Sequence, residues 1–412
     1  MSIRQDARSR YSPHSAIDPV STGDQAAGLR VALVHDWLTG LRGGEKCLER
    51  LCRIFPDATI HTLIHDPGKC GPVIEAMKIR TSPLQRIPGV MRHYRKLLPI
   101  MPWAIGRIDV GQPDLVISLS HCVAKAVRVP EGVPHICYCF TPMRYAWDGR
   151  EAYLDRWPSG SMKRILAEKL LNRLARWDAS TAHGVTRFIA ISRTIQDRIE
   201  RNYRRESDVV APPVDTDYYR PDPQTAREDF YLAASALVPY KRIDQAVEAC
   251  RRSGKKLVVI GQGPEFDRLK AMANNNIQFL GHCPDEVLRD HMRRCRALLF
   301  PGDEDFGILP IEALACGTPV IALDSGGVAE TVDSTVGRLF PDPTVESLCK
   351  AILDFESRGG DSFDPFEARR KAERFSGDRF DEGILKVLRQ VMTEHKGHTM
   401  SAKRAEVSSV SR

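Results

Sequence analysis

The stretch from Arg296 to Glu330 constrains the fold of this chain more than any other. It opens on four apolar residues, Ala297-Leu298-Leu299-Phe300, and turns through Pro301-Gly302-Asp303-Glu304-Asp305. Phe306-Gly307-Ile308-Leu309-Pro310-Ile311-Glu312-Ala313-Leu314 follows, and a short buried strand, an acidic turn and a helix fit the run best. Cys316-Gly317-Thr318-Pro319 ends the helix, because glycine accepts the left-handed position at a helix C-terminus and proline cannot continue one. A second apolar run, Val320–Leu323, leads into Asp324-Ser325-Gly326-Gly327. Strand, helix, strand with a polar loop at a carboxyl end is the unit of a parallel α/β sheet, whose ligands bind at such ends. Glu304 in the loop and Glu312 on the helix therefore mark the expected place of the chemistry.

A chain of 412 residues with 42% apolar content can bury two separate cores. Its net charge of +7 favours an anionic ligand or surface without singling out nucleic acid. Eleven scattered cysteines, with no CxxC pair, read as small apolar residues of a reduced cytosolic protein. No apolar run approaches the ~20 residues that span a bilayer. Residues 1–28 and 394–412 are polar and read as a disordered leader and tail.

Between these ends two β-α series follow one another. The first has strands at Leu29–Asp36, Thr59–Leu63, Leu115–Leu119, His135–Cys139 and Arg187–Ile191, with Ser192 as N-cap of the next helix. Gly43-Gly44 precedes a helix over Glu45–Ile54, where bare backbone N–H groups can meet a phosphate or simply make a tight turn. The second series runs from a strand at Phe230–Leu237 through Lys256–Ile260 and Ile277–Leu280 to the opening stretch, with terminal helices at Leu348–Glu356 and Glu367–Met392. The expected domains are 29–208 and 209–375, with a terminal helix over 376–393 packing back on the first. Two successive series argue for two doubly wound, Rossmann-like α/β domains facing a central cleft.

Two segments of the first half are basic as well as apolar. Pro88–Arg107 carries Arg92, Arg95, Lys96 and Arg107 with no acid. Ser161–Trp177 reads as an amphipathic helix with Met162, Leu166, Leu170, Leu174 and Trp177 in one stripe, and Lys163, Arg164, Lys169, Arg173 and Arg176 on the polar side. Core packing under a solvated face explains this, and so does contact with an anionic membrane.

Other motifs fail on inspection. Gly261-Gln262-Gly263 follows a strand, but Phe266 stands where a dinucleotide fingerprint needs its third glycine. The acid pairs at Asp215 and Asp217 and at Asp303 and Asp305 lack further ligands, so no metal is expected. No GxSxG elbow or metalloprotease histidine spacing occurs.

Taken in order, Glu304-Asp-Phe-Gly-Ile-Leu-Pro-Ile-Glu312 and the following Ala-Leu-Ala-Cys-Gly-Thr-Pro-Val-Ile resemble glycosyltransferase family 4, retaining enzymes of the GT-B fold that use nucleotide sugars. The resemblance extends over roughly Leu29 to Met392 and includes Gly43-Gly44-Glu45, Ile191-Ser192, Pro212-Pro213-Val214-Asp215 and Leu237-Val-Pro-Tyr-Lys-Arg242. Tyr138-Cys-Phe-Thr-Pro-Met-Arg-Tyr-Ala-Trp-Asp148 looks like the mannosyltransferases that build O-antigen and exopolysaccharide.

The resemblance implies a role for each residue. Lys241 and Arg242 would meet the donor pyrophosphate, with Gly43 and Gly44 opposite, although a solvated helix end also fits the two cations. Glu304 would hold sugar hydroxyls and Glu312 the ribose, while Phe306, Gly307, Ile308 and Leu309 supply the helix's free first turn. Helix-end charge complementarity is the plainer account of both glutamates. His121 would bond the sugar or a phosphate, and Arg144 a phosphate or the acceptor.

The implied enzyme moves a hexose, mannose from GDP-mannose, to a lipid-linked or growing polysaccharide, without cofactor, metal or nucleic acid. Its place would be cytoplasmic, peripheral at the inner membrane face. Phe140, where many relatives have histidine, and Ala236, near a common arginine position, keep a second reading open: a nucleotide-sugar-binding protein with weak or no transfer.

Overall fold

The structure is a computed structural model that describes residues 28–155, 158–359 and 363–410, with side chains as far as residue 397. The expected leader, apart from Gly28, lies outside the described residues. Two parallel-stranded sheets organise the rest. The first comprises β1 (Val31–His35), β2 (Thr59–Thr62), β3 (Lys78–Thr81), β4 (Leu115–Ser120), β5 (His135–Cys139), β6 (Arg187–Ala190) and β7 (Ser207–Val209). Its strand order is β3-β2-β1-β4-β5-β6-β7. The second comprises β8 (Tyr231–Ala234), β9 (Leu257–Ile260), β10 (Ile277–Gly281), β11 (Leu298–Phe300), β12 (Val320–Leu323) and β13 (Gly337–Phe340), in the order β10-β9-β8-β11-β12-β13.

The two sheets obey one topological rule. β1 pairs parallel with β2 on one side and β4 on the other, placing Ala32 beside Thr59 and Val116. β8 likewise lies between β9 and β11, with Leu232 beside Val258 and Leu298. In each sheet the chain reverses its direction of winding at that central strand, and ligands of open α/β sheets collect outside the carboxyl ends on either side of such a switch. The switch points are thus the ends of β1 and β4 and the ends of β8 and β11.

Five consecutive buried residues in β1, six in β4 and four in β8 mark strands covered on both faces. That is the reason their sequences run apolar instead of alternating. The edge strand β3 is mostly exposed, and neither it nor β13 shows an apolar run. The sequence reading accordingly passes over both.

Compactness divides the chain into two units. One is Met1–Cys137 with Met143–Arg187 and Arg389–Arg412; the other is Tyr138–Pro142 with Phe188–Leu388. The first unit has a core around Val34, Leu63, Leu98, Ile105, Val116 and Leu174. The second has its own around Ala233, Val247, Val259, Leu299, Ile321 and Phe355. Each fully buried side chain of this kind contributes on the order of 1.5–3 kcal/mol.

Two helical expectations change. The single terminal helix over Glu367–Met392 is two, Pro365–Glu373 and Gly377–Val410. At the break Val214 N–H donates to the Phe375 carbonyl, 2.8 Å away. The second helix continues past residue 393, where the sequence reading places a disordered tail. Met162–Thr181 is a helix as expected, but Met162 and Leu166 of its apolar stripe are 69% and 58% exposed. Its core contacts come from the other end, at Leu171, Leu174 and Ala175.

That end is anchored by a buried ion pair. Lys125 Nζ donates to Asp178 Oδ1 (2.6 Å), to the Asp178 carbonyl (2.8 Å) and to Thr181 Oγ1 (2.8 Å). Trp147 Nε1–H donates to the other carboxylate oxygen at 2.8 Å. Four hydrogen bonds within and around one charge pair meet the condition under which buried ions are tolerated.

Candidate functional site

The loops after β8 and β11 bring the expected donor residues of the second unit together. Lys241 Nζ is in direct contact with Glu304 Oε1, both side chains being mostly buried. Gly302 allows this approach, since a Cβ there would lie 3.1 Å from Lys241 Cα and its carbonyl oxygen. An ammonium and a carboxylate already facing each other can respectively receive a phosphate oxygen and a sugar hydroxyl.

The acidic loop is held from two sides. Asp324-Ser325-Gly326-Gly327, which follows β12, lies directly on it. Gly327 N–H donates to the Glu304 carbonyl at 2.9 Å, and Ser325 Oγ–H to Asp303 Oδ1 at 3.0 Å. A Cβ at Gly327 would meet Phe306 Cα at 2.4 Å, and one at Gly326 would meet the Glu304 carbonyl oxygen at 2.2 Å. Only glycine lets the two loops close to this distance.

On the other side, helix Arg193–Tyr203 supplies Arg198, whose Nη1–H donates to Asp305 Oδ1 at 2.5 Å. Ser192 Oγ–H donates to the Asp305 carbonyl at 2.7 Å and accepts from Ile195 N–H, which makes it the N-cap expected from sequence. Each of the three acids 303, 304 and 305 therefore has a protein partner. Among the described residues no group of three or more His, Cys, Asp or Glu is placed to hold a metal.

Helix Ile308–Ala315 starts from Gly307 in the left-handed region (φ 86°), without a side-chain cap and with no acid in its first turn. No acidic side chain of its own first turn therefore offsets its positive end. Pro310 has no N–H, which leaves the amides of Gly307, Ile308 and Leu309 as the donors of that end. Phe306 packs differently from a ligand contact: its ring is buried edge-on against Phe375, with centroids 5.7 Å apart. Glu312 is buried farther along the helix. Burial raises the Tyr219 hydroxyl well above its usual range and the nearby Glu312 charge raises it further, so the phenol stays neutral there.

Lys241 and Arg242 stand at the start of a helix, as the sequence suggests, with a tighter turn before it. Lys241 ends a short 3-10 turn, Pro239–Lys241, and Arg242 adopts a left-handed conformation (φ 51°) before helix Ile243–Ser253. Arg204 and Arg242 are the non-glycine residues with positive φ among those described. Strain of this kind persists where neighbours enforce it. Arg242 Nη1 is also buried without a hydrogen-bond partner.

The Gly261-Gln262-Gly263 turn explains how the loop is enforced. A Cβ at Gly261 would lie 1.9 Å from the Ser235 carbonyl oxygen, and one at Gly263 would lie 2.2 Å from that of Leu237. Leu237 N–H donates to the Gln262 carbonyl at 2.9 Å, and Glu265 N–H to that of Leu237 at 3.1 Å. These glycines brace the start of the lysine loop.

The other switch point belongs to the first unit. Asp36 directly follows β1, is fully buried, and accepts four backbone N–H bonds of 2.6–2.9 Å from His121, Cys122, Val123 and Ala124 after β4. His121 Nδ1 lies 3.1 Å from Asp36 Oδ2, and its ring stands edge-on to Trp37 at 4.5 Å. Next to it, burial lowers His35, with Glu45 acting in the opposite direction. The sequence points to His121 alone; His35-Asp36-Trp37 at the end of a strand is the further signal, and the sequence reading passes over it.

Gly43 and Gly44 are not a loop before a helix but the first turn of Gly43–Ile54 itself, where Arg42 N–H donates to Glu45 Oε2 at 3.0 Å. Arg144 lies on a turn in which its carbonyl accepts from Gly149 N–H at 2.8 Å. Phe140 packs its ring against Tyr138.

The first unit also exposes apolar side chains beside cations. On its long helix Met162, Ile165 and Leu166 are exposed alongside Lys163, Lys169 and Arg173. Ile100 and Trp103 are exposed with Arg92, Arg95, Lys96 and Arg107, and the Arg107 guanidinium lies 4.6 Å above the Trp103 ring. Arg164 is engaged instead with Glu151, Asp155 and Glu168. Among the described residues no helix is long and apolar enough to cross a membrane.

Two family models match consecutive parts of the chain: Glycosyltransferase Family 4 over residues 41–218 and Glycosyl transferases group 1 over residues 217–373. An uncharacterized glycosyltransferase of Methanocaldococcus jannaschii is 26% identical over 84% of this chain and 93% of its own. A GDP-mannose-dependent alpha-(1-6)-phosphatidylinositol monomannoside mannosyltransferase of Mycolicibacterium smegmatis is 31% identical, over 35% of this chain and 46% of its own. Among solved structures, Anabaena HepE in complex with UDP superposes with a TM-score of 0.63, at 17% identity, over 88% of this chain and 100% of that one. That likeness supports the fold: two parallel-sheet, Rossmann-like α/β domains of the GT-B type.

Proposed function

The chain belongs to the family 4 type of glycosyltransferases, and from that premise we propose that it moves a hexose, mannose from GDP-mannose, to a lipid-linked or growing polysaccharide with retention. The observation that carries the site assignment is the Lys241–Glu304 contact at the switch point of the second sheet, beside the uncapped helix of Ile308–Ala315. A donor sugar nucleotide carries about two negative charges on its pyrophosphate, which Lys241, Arg242 and the Gly307–Leu309 amides can meet. Glu304 accepts from sugar hydroxyls and Glu312 from the ribose. Leaving-group departure with acceptor attack on the same face needs stabilisation of the departing phosphate and no protein nucleophile. In the first unit, Gly43 and Gly44 serve the donor phosphates, His121 the sugar and Arg144 a phosphate or the acceptor.

The choice of mannose and of a lipid acceptor draws on relatives named for both, and on the apolar residues exposed beside cations. Anionic lipid attracts each nearby lysine or arginine by about 1 kcal/mol, and Met162, Ile165 and Leu166 add apolar contact. The protein would then act as a peripheral protein at the cytoplasmic membrane face.

A panel of GDP-, UDP-, ADP- and dTDP-sugars, scored for donor hydrolysis and for transfer, tests the reading. GDP-mannose turnover with retained anomeric configuration is the expected result. Tight donor binding with neither activity would favour the binding-protein alternative, to which Phe140 and Ala236 point. Sedimentation with anionic vesicles at low salt should be weakened by reversing Lys163, Lys169 and Arg173 together, and absence of vesicle binding would sink the membrane proposal.

A further inference from the structure

Asp36 accepts four amides, two on each carboxylate oxygen. By themselves they account for a buried acid that closes the turn after β4. The fifth contact is of another kind. Ring atom Nδ1 of His121 lies 3.1 Å from Asp36 Oδ2, and the side chain is 32% exposed. Trp37, the residue after Asp36, holds the ring edge-on at 4.5 Å. Two successive residues at the end of β1 thus fix one imidazole, one by charge and the other by packing.

At 3.1 Å from a carboxylate oxygen, Nδ1 must carry a proton, since a lone pair there would face a negative charge. We propose that Asp36 is a positioning residue that locks His121 in the Nδ1–H tautomer, making Nε2 the acceptor atom of the neutral ring. A partner at Nε2 must then donate, as a sugar hydroxyl does and a fully ionised phosphate oxygen does not. For the neutral ring, this favours the sugar over the phosphate. The inference deepens the glycosyltransfer reading and rests on it for the identity of the ligand, though not for the tautomer.

Histidine-selective ¹⁵N labelling of the full chain, with long-range ¹H–¹⁵N spectra at pH 8, tests the pairing directly. The His121 signal is assigned by its loss in His121→Gln. The expected spectrum shows His121 as Nδ1–H in the native protein and shifted toward Nε2–H in Asp36→Asn. A native Nε2–H ring would overturn the proposal, even if Asp36→Asn fails to fold. In a transfer assay Asp36→Asn and His121→Gln should each lower kcat/KM on the order of tenfold. The double variant should be no worse than His121→Gln, because one residue acts through the other. Losses that multiply would assign Asp36 to the fold alone and overturn its positioning role. Absence of transfer with every donor would overturn the glycosyltransfer reading and with it the sugar contact, while the spectrum still decides the tautomer.

Discussion

Gly327→Ala puts a single methyl group where two loops meet. The added Cβ would lie 2.4 Å from Phe306 Cα, 2.6 Å from the Asp305 carbonyl oxygen and 2.9 Å from Phe306 N, all backbone atoms. Ordinary contact begins at 3.4 Å, so the loops must part by about 1 Å at that point. Gly327 has no positive φ, so the effect comes from the clash and not from the conformation of alanine. Overpacking of this sort costs about 1–3 kcal/mol, and each kcal/mol lowers Tm by about 2–4 °C in a body of 150–250 residues. The larger effect falls on turnover. The Gly327 N–H bond to the Glu304 carbonyl opens, Glu304 shifts, and a 1 Å misplacement in a reacting constellation costs about 100-fold.

The assay is transfer or donor hydrolysis beside a thermal melt. Gly254→Ala serves as control: that glycine has φ +67° and open space around its Cβ position. Its cost of about 1–2 kcal/mol comes from the left-handed backbone alone. The expected outcome is a comparable loss of Tm in both variants, with kcat falling only in Gly327→Ala. Equal kcat in the two would refute the argument that this glycine sets the position of Glu304.

Two further predictions concern the first unit's stability. Lys125→Met leaves the Asp178 carboxylate buried without its cation and should cost about 3–5 kcal/mol, read as a lower urea midpoint; a midpoint within error of native would contradict the buried-pair account. Burial lowers His61 and His135 from 6.5 to about 4, so the native rings are neutral and the unfolded chain takes up protons first on acidification. This stability is complete above about pH 6.5 and falls towards pH 4, at roughly 1.4 kcal/mol per pH unit per ring. Urea melts between pH 7 and 5 should show it, and a flat profile would count against it.

What the sequence disclosed depended on whether one residue type could carry the signal. Strands buried on both faces, such as β1, β4 and β8, show as apolar runs because burial leaves no other choice. The edge strand β3 is exposed, so its Lys-Ile-Arg-Thr looks like loop. Met162 and Leu166 fit a helical stripe by spacing, yet spacing does not say which end of a helix meets a core, and both are exposed. Glu304, Glu312, Lys241 and the Gly307 turn were legible through their fixed order along the chain. The contact between Lys241 and Glu304 was not, because it depends on two loops separated by three strands. Asp36 left the weakest trace: its role arises from amides of residues more than eighty positions away, and amides have no sequence signature. The Gly261-Gln262-Gly263 turn shows the converse, since a phosphate-like glycine pattern serves backbone packing against Ser235 and Leu237.

The central claim is that the end of β11 holds the donor sugar through Glu304. Measuring kcat for transfer in Glu304→Ala, alongside its melting curve, tests it most directly. Glu304 is a loop residue whose side chain keeps about a fifth of its surface exposed (22%), so the fold should survive with Tm near the native value while transfer is lost. Native-like transfer by a folded Glu304→Ala protein would contradict the assignment.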